Sequence, residues 1–542
     1  MTRKDTLCLT AFTLLGCVLS AALKYELTWD FLHYHYYNGF AAAYGRLGYD
    51  VAPAGLNTYF NPLLDALTFW LTDLFNDSPN VYYALTGAPF GLLLFAVFKI
   101  NALFFKSPFA IGISVLLAAT GFATWFQIGT STNEIPVALL VLTGLYFLLT
   151  DTKTAAAGLL LGAAMGLKAT AGVYCLSSGI VFIAFHRREY KRIVLFTLAG
   201  IGGFLLTNGF WMYKLQILFQ NPFFPFFNAV FKSPYFETVN YSFRAVFADR
   251  SVAEALLLPF SFIGHFRPSY AANASFSDVR LALGLVLFCA CAPFAKKHPI
   301  SRQTAFLAAW AGVSYIVWLV GFSVIRYLIP VEVLLPVFFV KTAAFWRPKQ
   351  ADVLKESLFY SACVVLFAAC VGTVFVSNPW GSRRHQARVF ESPDFRLPEN
   401  AVAAGVNTPN GAYLAAIAKK TPSVRLVSLF RDQSGAVNPW HFTKNSLLAQ
   451  KARAYIEASS PAYVITTPIP LNARPKGTLC RETGGIFSAA KDMPETSFAA
   501  FEKKFRRAPF FQMFCAPEDL NAFAAPWGLT VGKDSPVFED AL

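Results

Sequence analysis

Residues 186–213 read HRREYKR followed by IVLFTLAGIGGFLLTNGFWMY: four basic side chains, Arg187, Arg188, Lys191 and Arg192, then 21 residues with no formal charge. A run of that length matches the ~20 apolar residues that carry a helix across the ~30 Å hydrocarbon core of a bilayer. A basic cluster at one end marks the cytoplasmic side of such a span. Reading outward in both directions finds about eleven apolar spans, near 6–23, 80–98, 107–125, 134–150, 154–168, 171–185, 193–213, 278–295, 303–321, 323–340 and 354–377. The chain begins Met-Thr-Arg-Lys, and alternate loops carry Lys99 and Lys106, then Lys153, then Arg187 to Arg192, then Lys296, Lys297 and Arg302, then Arg347, Lys349 and Lys355. The basic short loops therefore share one side. This predicts a cytoplasmic N-terminus and an extracytoplasmic region after residue 377. Spans 154–168 and 171–185 are short and are expected to form a helical pair that does not fully cross.

Composition agrees. The 542 residues are 55% hydrophobic and 14% charged, with 56 Phe and mean hydropathy +0.46. A soluble domain carries about 25% charged residues. The net charge of +15 lies between the apolar spans, where it orients them, which argues against a nucleic-acid partner. Seven of the nine cysteines sit in apolar runs and read as small hydrophobes. Cys480 and Cys515 lie in the polar tail, where a disulfide is plausible outside the cytoplasm. The expected fold class is thus an α-helical polytopic membrane protein, with a module at 1–377 and a soluble α/β domain at 378–542. In that tail 412–420 and 444–459 read as helices and 462–467 as a buried strand.

Three outward segments are large enough to carry chemistry: 24–79, 214–277 and the tail. The first opens KYELTWDFLHYHYYN, residues 24–38. An aromatic belt at the interface accounts for the rings. It does not call for Asp30, His33, His35 and Asn38 among Trp29, Tyr34 and Tyr36; rings interleaved with hydrogen-bonding groups suit a sugar. Asp50 and Asp65 are second-rank acids, and 62–75 reads as a short apolar helix lying along the membrane surface. Glu134 stands in Ser131-Thr132-Asn133-Glu134-Ile135-Pro136, where Asn133 is expected to cap the next helix and Glu134 to complement its dipole. Lys168 ends the run Gly162-Ala163-Ala164-Met165-Gly166-Leu167, and a lysine so deep in apolar sequence is a functional candidate or a snorkelling side chain. Arg326, in Ser323-Val324-Ile325-Arg326-Tyr327-Leu328-Ile329-Pro330, lies on the outer side, where positive-inside bias does not expect it. Arg244 and Arg267 are weaker candidates of the same kind.

These residues, in this order, resemble the GT-C superfamily of membrane glycosyltransferases, which includes protein O-mannosyltransferases and lipid A aminoarabinose transferases. An acid after the first helix (Asp30), a second acid before a later helix (Glu134), a Gly-rich helix ending in lysine (Lys168) and an Arg-Tyr-Leu-x-Pro stretch (Arg326, Tyr327) carry the resemblance, over about residues 6–340. It implies transfer of a sugar, with inversion, from a polyprenyl-phosphate lipid to an acceptor on the periplasmic face of a bacterial inner membrane. Asp30 would be the base, with Glu134 beside it. Lys168, Arg326, Tyr327, His33, His35, Tyr36, Asn38 and Arg244 would bind substrate. The first loop has a lone Asp30 rather than an Asp-x-Asp pair, which leaves a divalent metal open; if one is used, Asp30 and Glu134 would hold it. A transporter or flippase of lipid-linked glycans is the alternative class, and an O-antigen polymerase or ligase is another outer-face enzyme. Repeated halves are absent from the sequence, which disfavours the transporter.

Overall fold

The structure, a computed structural model, describes residues 2–24, 28–240, 251–263, 277–291, 300–346, 353–375, 388–390, 396–405, 411–428, 446–458, 462–465 and 486–487. The chain divides into two compact units. One comprises residues 1–25, 83–209 and 243–380; the other comprises 26–82, 210–242 and 381–542.

The first unit is helical, because a backbone in lipid must satisfy its own polar groups. Each of the eleven apolar stretches holds a helix. Arg3–Leu23, Pro79–Phe104, Tyr190–Phe219, Arg302–Gly321 and Leu354–Val374 are long and apolar enough to cross a membrane. Ile325–Glu332 and Leu335–Trp346, bent by 44°, make a sixth span if counted together. The other five are shorter: Pro108–Ala119, Glu134–Leu149, Thr154–Leu167, Gly172–Phe185 and Arg280–Cys291. The expected span at 107–125 is broken after Ala119 and resumes as the single turn Phe122–Trp125. A break at membrane depth is tolerated where protein satisfies the freed groups. Here Asp278 accepts from the Phe122 N–H at 3.0 Å, and Glu332 accepts from the N–H groups of Ala123 and Thr124 at 3.0 and 2.9 Å.

Small residues set the helix crossings. A methyl group on Gly158 would fall on the Phe196 carbonyl, one on Gly162 on the Gly200 carbonyl, and one on Gly203 on the Leu159 carbonyl. Thr154–Leu167 and Tyr190–Phe219 thus meet backbone to backbone, as small-xxx-small stripes allow in membranes. The first helix does the same: Gly16 lies against Gly87 and Gly91.

Several of the loops expected on one side are joined, in two groups. Asp151 receives Arg192 at 2.5 Å, His186 at 3.3 Å and Arg302 at 3.8 Å, and Arg192 holds its carboxyl below the usual range. Lys99 bonds Asp5 at 2.9 Å, joining the N-terminus to the next basic loop. Glu134–Leu149 and Thr154–Leu167 pack as neighbours, with Asp151 in their connection. Their far ends, Glu134 and Lys168, therefore lie about 24 Å from it at 1.5 Å per residue.

The second unit contains a four-stranded sheet, β1 Val402–Gly405, β2 Arg425–Ser428, β3 Ala462–Ile465 and β4 Ile486–Phe487, in the order β2-β1-β3-β4. The first three are parallel, with Val402 opposite both Arg425 and Ala462; β4 is antiparallel. Parallel neighbours require crossovers, and the helices Gly411–Lys420 and Leu447–Glu457 supply them, close to where the amphipathic pattern of the tail predicts. Val51, from the segment after the first span, forms a parallel bridge beside Val427. The core of this unit mixes the two regions: Phe31, Tyr37, Phe40 and Phe69 are buried with Leu414, Ala415 and Leu426.

Candidate active site

In the first unit four of the expected residues converge. Lys168 Nζ lies 2.6 Å from Glu134 Oε1 and also donates to the Thr132 carbonyl. Arg326 Nε stands 3.4 Å from the same Glu134 oxygen. Tyr327 faces both cations, its ring 5.7 Å from Lys168 Nζ and 5.3 Å from the Arg326 guanidinium carbon. All three charges are largely buried: side-chain exposure is 4% for Glu134, 16% for Lys168 and 13% for Arg326.

Local sequence explains each placement. Lys168 is the first residue past the Gly-rich helix, in extended conformation, so its side chain turns back toward the start of Glu134–Leu149. Arg326 sits on a 3-10 turn, Ile325–Leu328, that the Tyr174 hydroxyl fixes by donating to the Tyr327 carbonyl at 2.5 Å. Asn133 holds the expected N-cap position, but with a left-handed φ of 68° and no capping bond from its side chain. Asparagine tolerates that region better than most residues, and the sharp turn is what presents Glu134 to Lys168.

Two cations face one carboxylate, so the cluster carries a net charge of about +1. Among the described residues Glu134 Oε2 has no hydrogen-bond partner, and neither has the buried Gln127 Nε2 nearby in sequence. Paired ammonium and guanidinium groups suit a phosphate. Among the described residues no group of three or more His, Cys, Asp or Glu is placed to hold a metal ion.

A second polar cluster in this unit escaped the sequence reading. Arg280 donates to Asp278 at 2.8 Å and to the Thr120 hydroxyl at 2.9 Å, and Glu332 accepts from the Thr124 hydroxyl at 2.5 Å. Asp278, Arg280 and Glu332 are all buried. Glu332 closes the short helix Ile329–Glu332 that follows the Arg326 turn, so the cluster ties that turn to the broken helix. The signal was present: an acid inside a predicted span is a functional candidate by default.

In the second unit Asp30 precedes one turn of π-helix, Phe31–His35, a form frequent at functional sites. Asp30, His33, His35 and Asn38 are all buried. His33 stacks on Trp29 at 4.3 Å between centroids, and burial lowers its imidazole to about 3, against the pull of Asp30 upward. His33 is therefore neutral at physiological pH. His35 Nδ1 pairs with Asp65 Oδ1 at 2.6 Å, on the helix Leu63–Phe75. Asn38 donates to the Asn57 carbonyl at 2.9 Å, and its own Oδ1 has no hydrogen-bond partner among the described residues. Tyr36 packs in the core between Phe69 and Phe390, at 5.2 and 5.0 Å. Arg244 and Arg267, like Cys480 and Cys515, lie outside the described residues.

No known protein family matches the chain as a sequence pattern, and no curated protein matches it in sequence. Among solved structures it is similar to ArnT from Cupriavidus metallidurans bound to undecaprenyl phosphate. The match has 13% identity and a TM-score of 0.48, and covers 86% of this chain and 94% of that one. At that distance no residue role is transferred from it.

Proposed function

We propose that this membrane protein is a GT-C-type glycosyltransferase that takes its sugar from a polyprenyl-phosphate lipid. The observation that carries the reading is the Lys168–Arg326 pair, two cations held together on one carboxylate at the end of apolar helices remote from the basic loops. A charge buried at the membrane is costly, and a lipid phosphate is the anion that reaches such a place with its chain still in the bilayer.

In this reading the donor phosphate takes charge-assisted hydrogen bonds from Lys168 and Arg326. The acceptor hydroxyl attacks the anomeric carbon, the bond from that carbon to the phosphate oxygen breaks, and the electron pair leaves with the polyprenyl phosphate. Lys168 and Arg326 stabilise the charge that develops there. Asp30 accepts the hydroxyl proton, while the neutral His33 and the ring of Trp29 contribute hydrogen-bonding and stacking surface. Direct displacement inverts the anomeric centre. The side carrying Glu134 and Lys168 is periplasmic, because the opposite side gathers the basic loops.

The test is transfer in reconstituted membranes, with a panel of radiolabelled polyprenyl-phosphate sugars offered together with a membrane lipid extract as the source of acceptors. Wild type should transfer label. Lys168→Ala should lose donor binding by about 100-fold, in line with loss of charge-assisted bonds of ~1.5–3 kcal/mol. Asp30→Asn should bind donor normally and transfer nothing. Transfer by Asp30→Asn at the wild-type rate would remove Asp30 as the base. Donor binding unaffected by Lys168→Ala would remove the phosphate assignment.

A further inference from the structure

The turn that bears Asp30 is built by the C-terminal domain. Gly411, at the start of the helix Gly411–Lys420, lies so close that a methyl group there would fall on the His33 carbonyl and stand 3.3 Å from Tyr37 Cβ. Phe390 packs on Phe31 and Tyr36, at 5.8 and 5.0 Å, and on Tyr413 at 5.6 Å. A buried clasp completes the contact. Arg46 Nη2 and Nε donate to Asp50 at 2.6 and 2.7 Å, and the same guanidinium donates to the carbonyls of Pro422 and Val424 at 2.8 and 2.6 Å. Asp50 in turn accepts from the Leu426 N–H at 3.0 Å and from the Tyr37 hydroxyl at 2.9 Å. Tyr37 lies one helical turn beyond His33, so β2 is bonded through Asp50 to the segment that follows Asp30.

We propose that the C-terminal domain is a positioning element: Gly411 and the Arg46–Asp50 clasp set where Asp30 stands. The proposal rests on the glycosyl-transfer reading above for its consequence, since a positioned base matters to transfer and not to donor capture. Its structural half stands without that reading. The domain's contribution is to a kinetic step, and the chain's two outlying regions form one working unit.

The experiment compares the full chain with Gly411→Ala, Gly411→Val and a control, Leu448→Ala, whose buried side chain lies on the helix packed against β2. Two quantities are read: amide hydrogen exchange over residues 29–41 by mass spectrometry, and kcat and donor KM for transfer. Exchange reports local opening independently of activity. Gly411→Val should speed exchange in 29–41 by about tenfold and lower kcat by about 100-fold, the scale of a ~1 Å misplacement, with KM within about twofold. Gly411→Ala should fall between, which keeps the test open if the valine variant does not fold. Leu448→Ala should lower the melting temperature while leaving both readouts within about twofold. Unchanged exchange in both glycine variants overturns the proposal. So does a kcat loss in Leu448→Ala equal to that in a glycine variant of the same melting temperature. If wild type transfers no sugar, the transferase reading fails, and exchange alone decides whether the tail holds this turn.

Discussion

Replacing Arg46 by methionine tests the clasp as a physical object. The Asp50 carboxylate has 1% side-chain exposure and takes two of its four hydrogen bonds from Arg46. Removing the guanidinium leaves it with the Tyr37 hydroxyl and the Leu426 N–H, and strips the partners from the Pro422 and Val424 carbonyls. Burial already pushes the Asp50 carboxyl up, against the pull of Arg46, so the variant takes up a proton rather than keep a lone charge. Breaking a buried pair from one side costs about 3–5 kcal/mol. For a unit of 150–250 residues ~1 kcal/mol moves Tm by about 2–4 °C, so the apparent Tm of this unit should fall by about 6–20 °C. The double variant Arg46→Met/Asp50→Leu should recover part of the loss, because it removes the lone charge while the Tyr37 hydroxyl, the Leu426 N–H and the two carbonyls still lose their partners. The assay is thermal unfolding in detergent, followed by near-ultraviolet circular dichroism. A single variant that melts within about 2 °C of wild type would refute the reasoning, as would a double variant that melts no higher than the single one.

His33 predicts a pH dependence. Its folded value of about 3 lies below the unfolded 6.5, so its contribution is present above pH 6.5 and is lost as pH falls from there toward 3. The full difference is about 5 kcal/mol. His33→Phe should flatten the fall of Tm between pH 6.5 and 4, and parallel slopes in the two proteins would show that the buried imidazole is not the cause. Glu134→Gln removes the carboxylate that competes with a donor phosphate for Lys168 and Arg326. Binding of polyprenyl phosphate should tighten by about tenfold, the order of one charge-assisted bond; weaker binding in equilibrium titration would mean that Glu134 orients the donor instead of shielding the cations.

The helical stretches were legible because a run of uncharged residues has few other fates, and the common side of the basic loops followed from their alternation. Asp151 joins three of those loops in three dimensions, since it draws Arg192, His186 and Arg302 to one point. Where a span breaks was not legible. The interruption near Gly121 depends on Asp278 and Glu332 reaching the freed N–H groups from 156 and 209 residues away. No local pattern encodes a partner at that separation. The same limit hid the clasp: Asp50 stood in the sequence as a second-rank acid with no partner named, and only the fold brings β2 to it, 376 residues on. Glu332 was within reach of the argument applied to Lys168, as an acid inside an apolar run, but Arg326 six residues earlier drew the reading instead.

The charge pattern of the helix pair Glu134–Leu149 and Thr154–Leu167 is the strongest reason to assign work to the end that bears Glu134 and Lys168. At the loop end Asp151 is 44% exposed, so its ion pairs sit in solvent and contribute little. At the other end Glu134 and Lys168 are sequestered among apolar helices, where a leucine in each position would be as stable or more so. A second cation, Arg326, gives this otherwise neutral pair an excess of positive charge. Stability alone selects against such an arrangement. The arrangement suits cations held apart from water for an anion that arrives later, with Glu134 as the counter-ion in the meantime. A phosphate attached to a membrane-embedded chain meets that requirement, because the lipid supplies the affinity that lets a buried site open to a charged group at all.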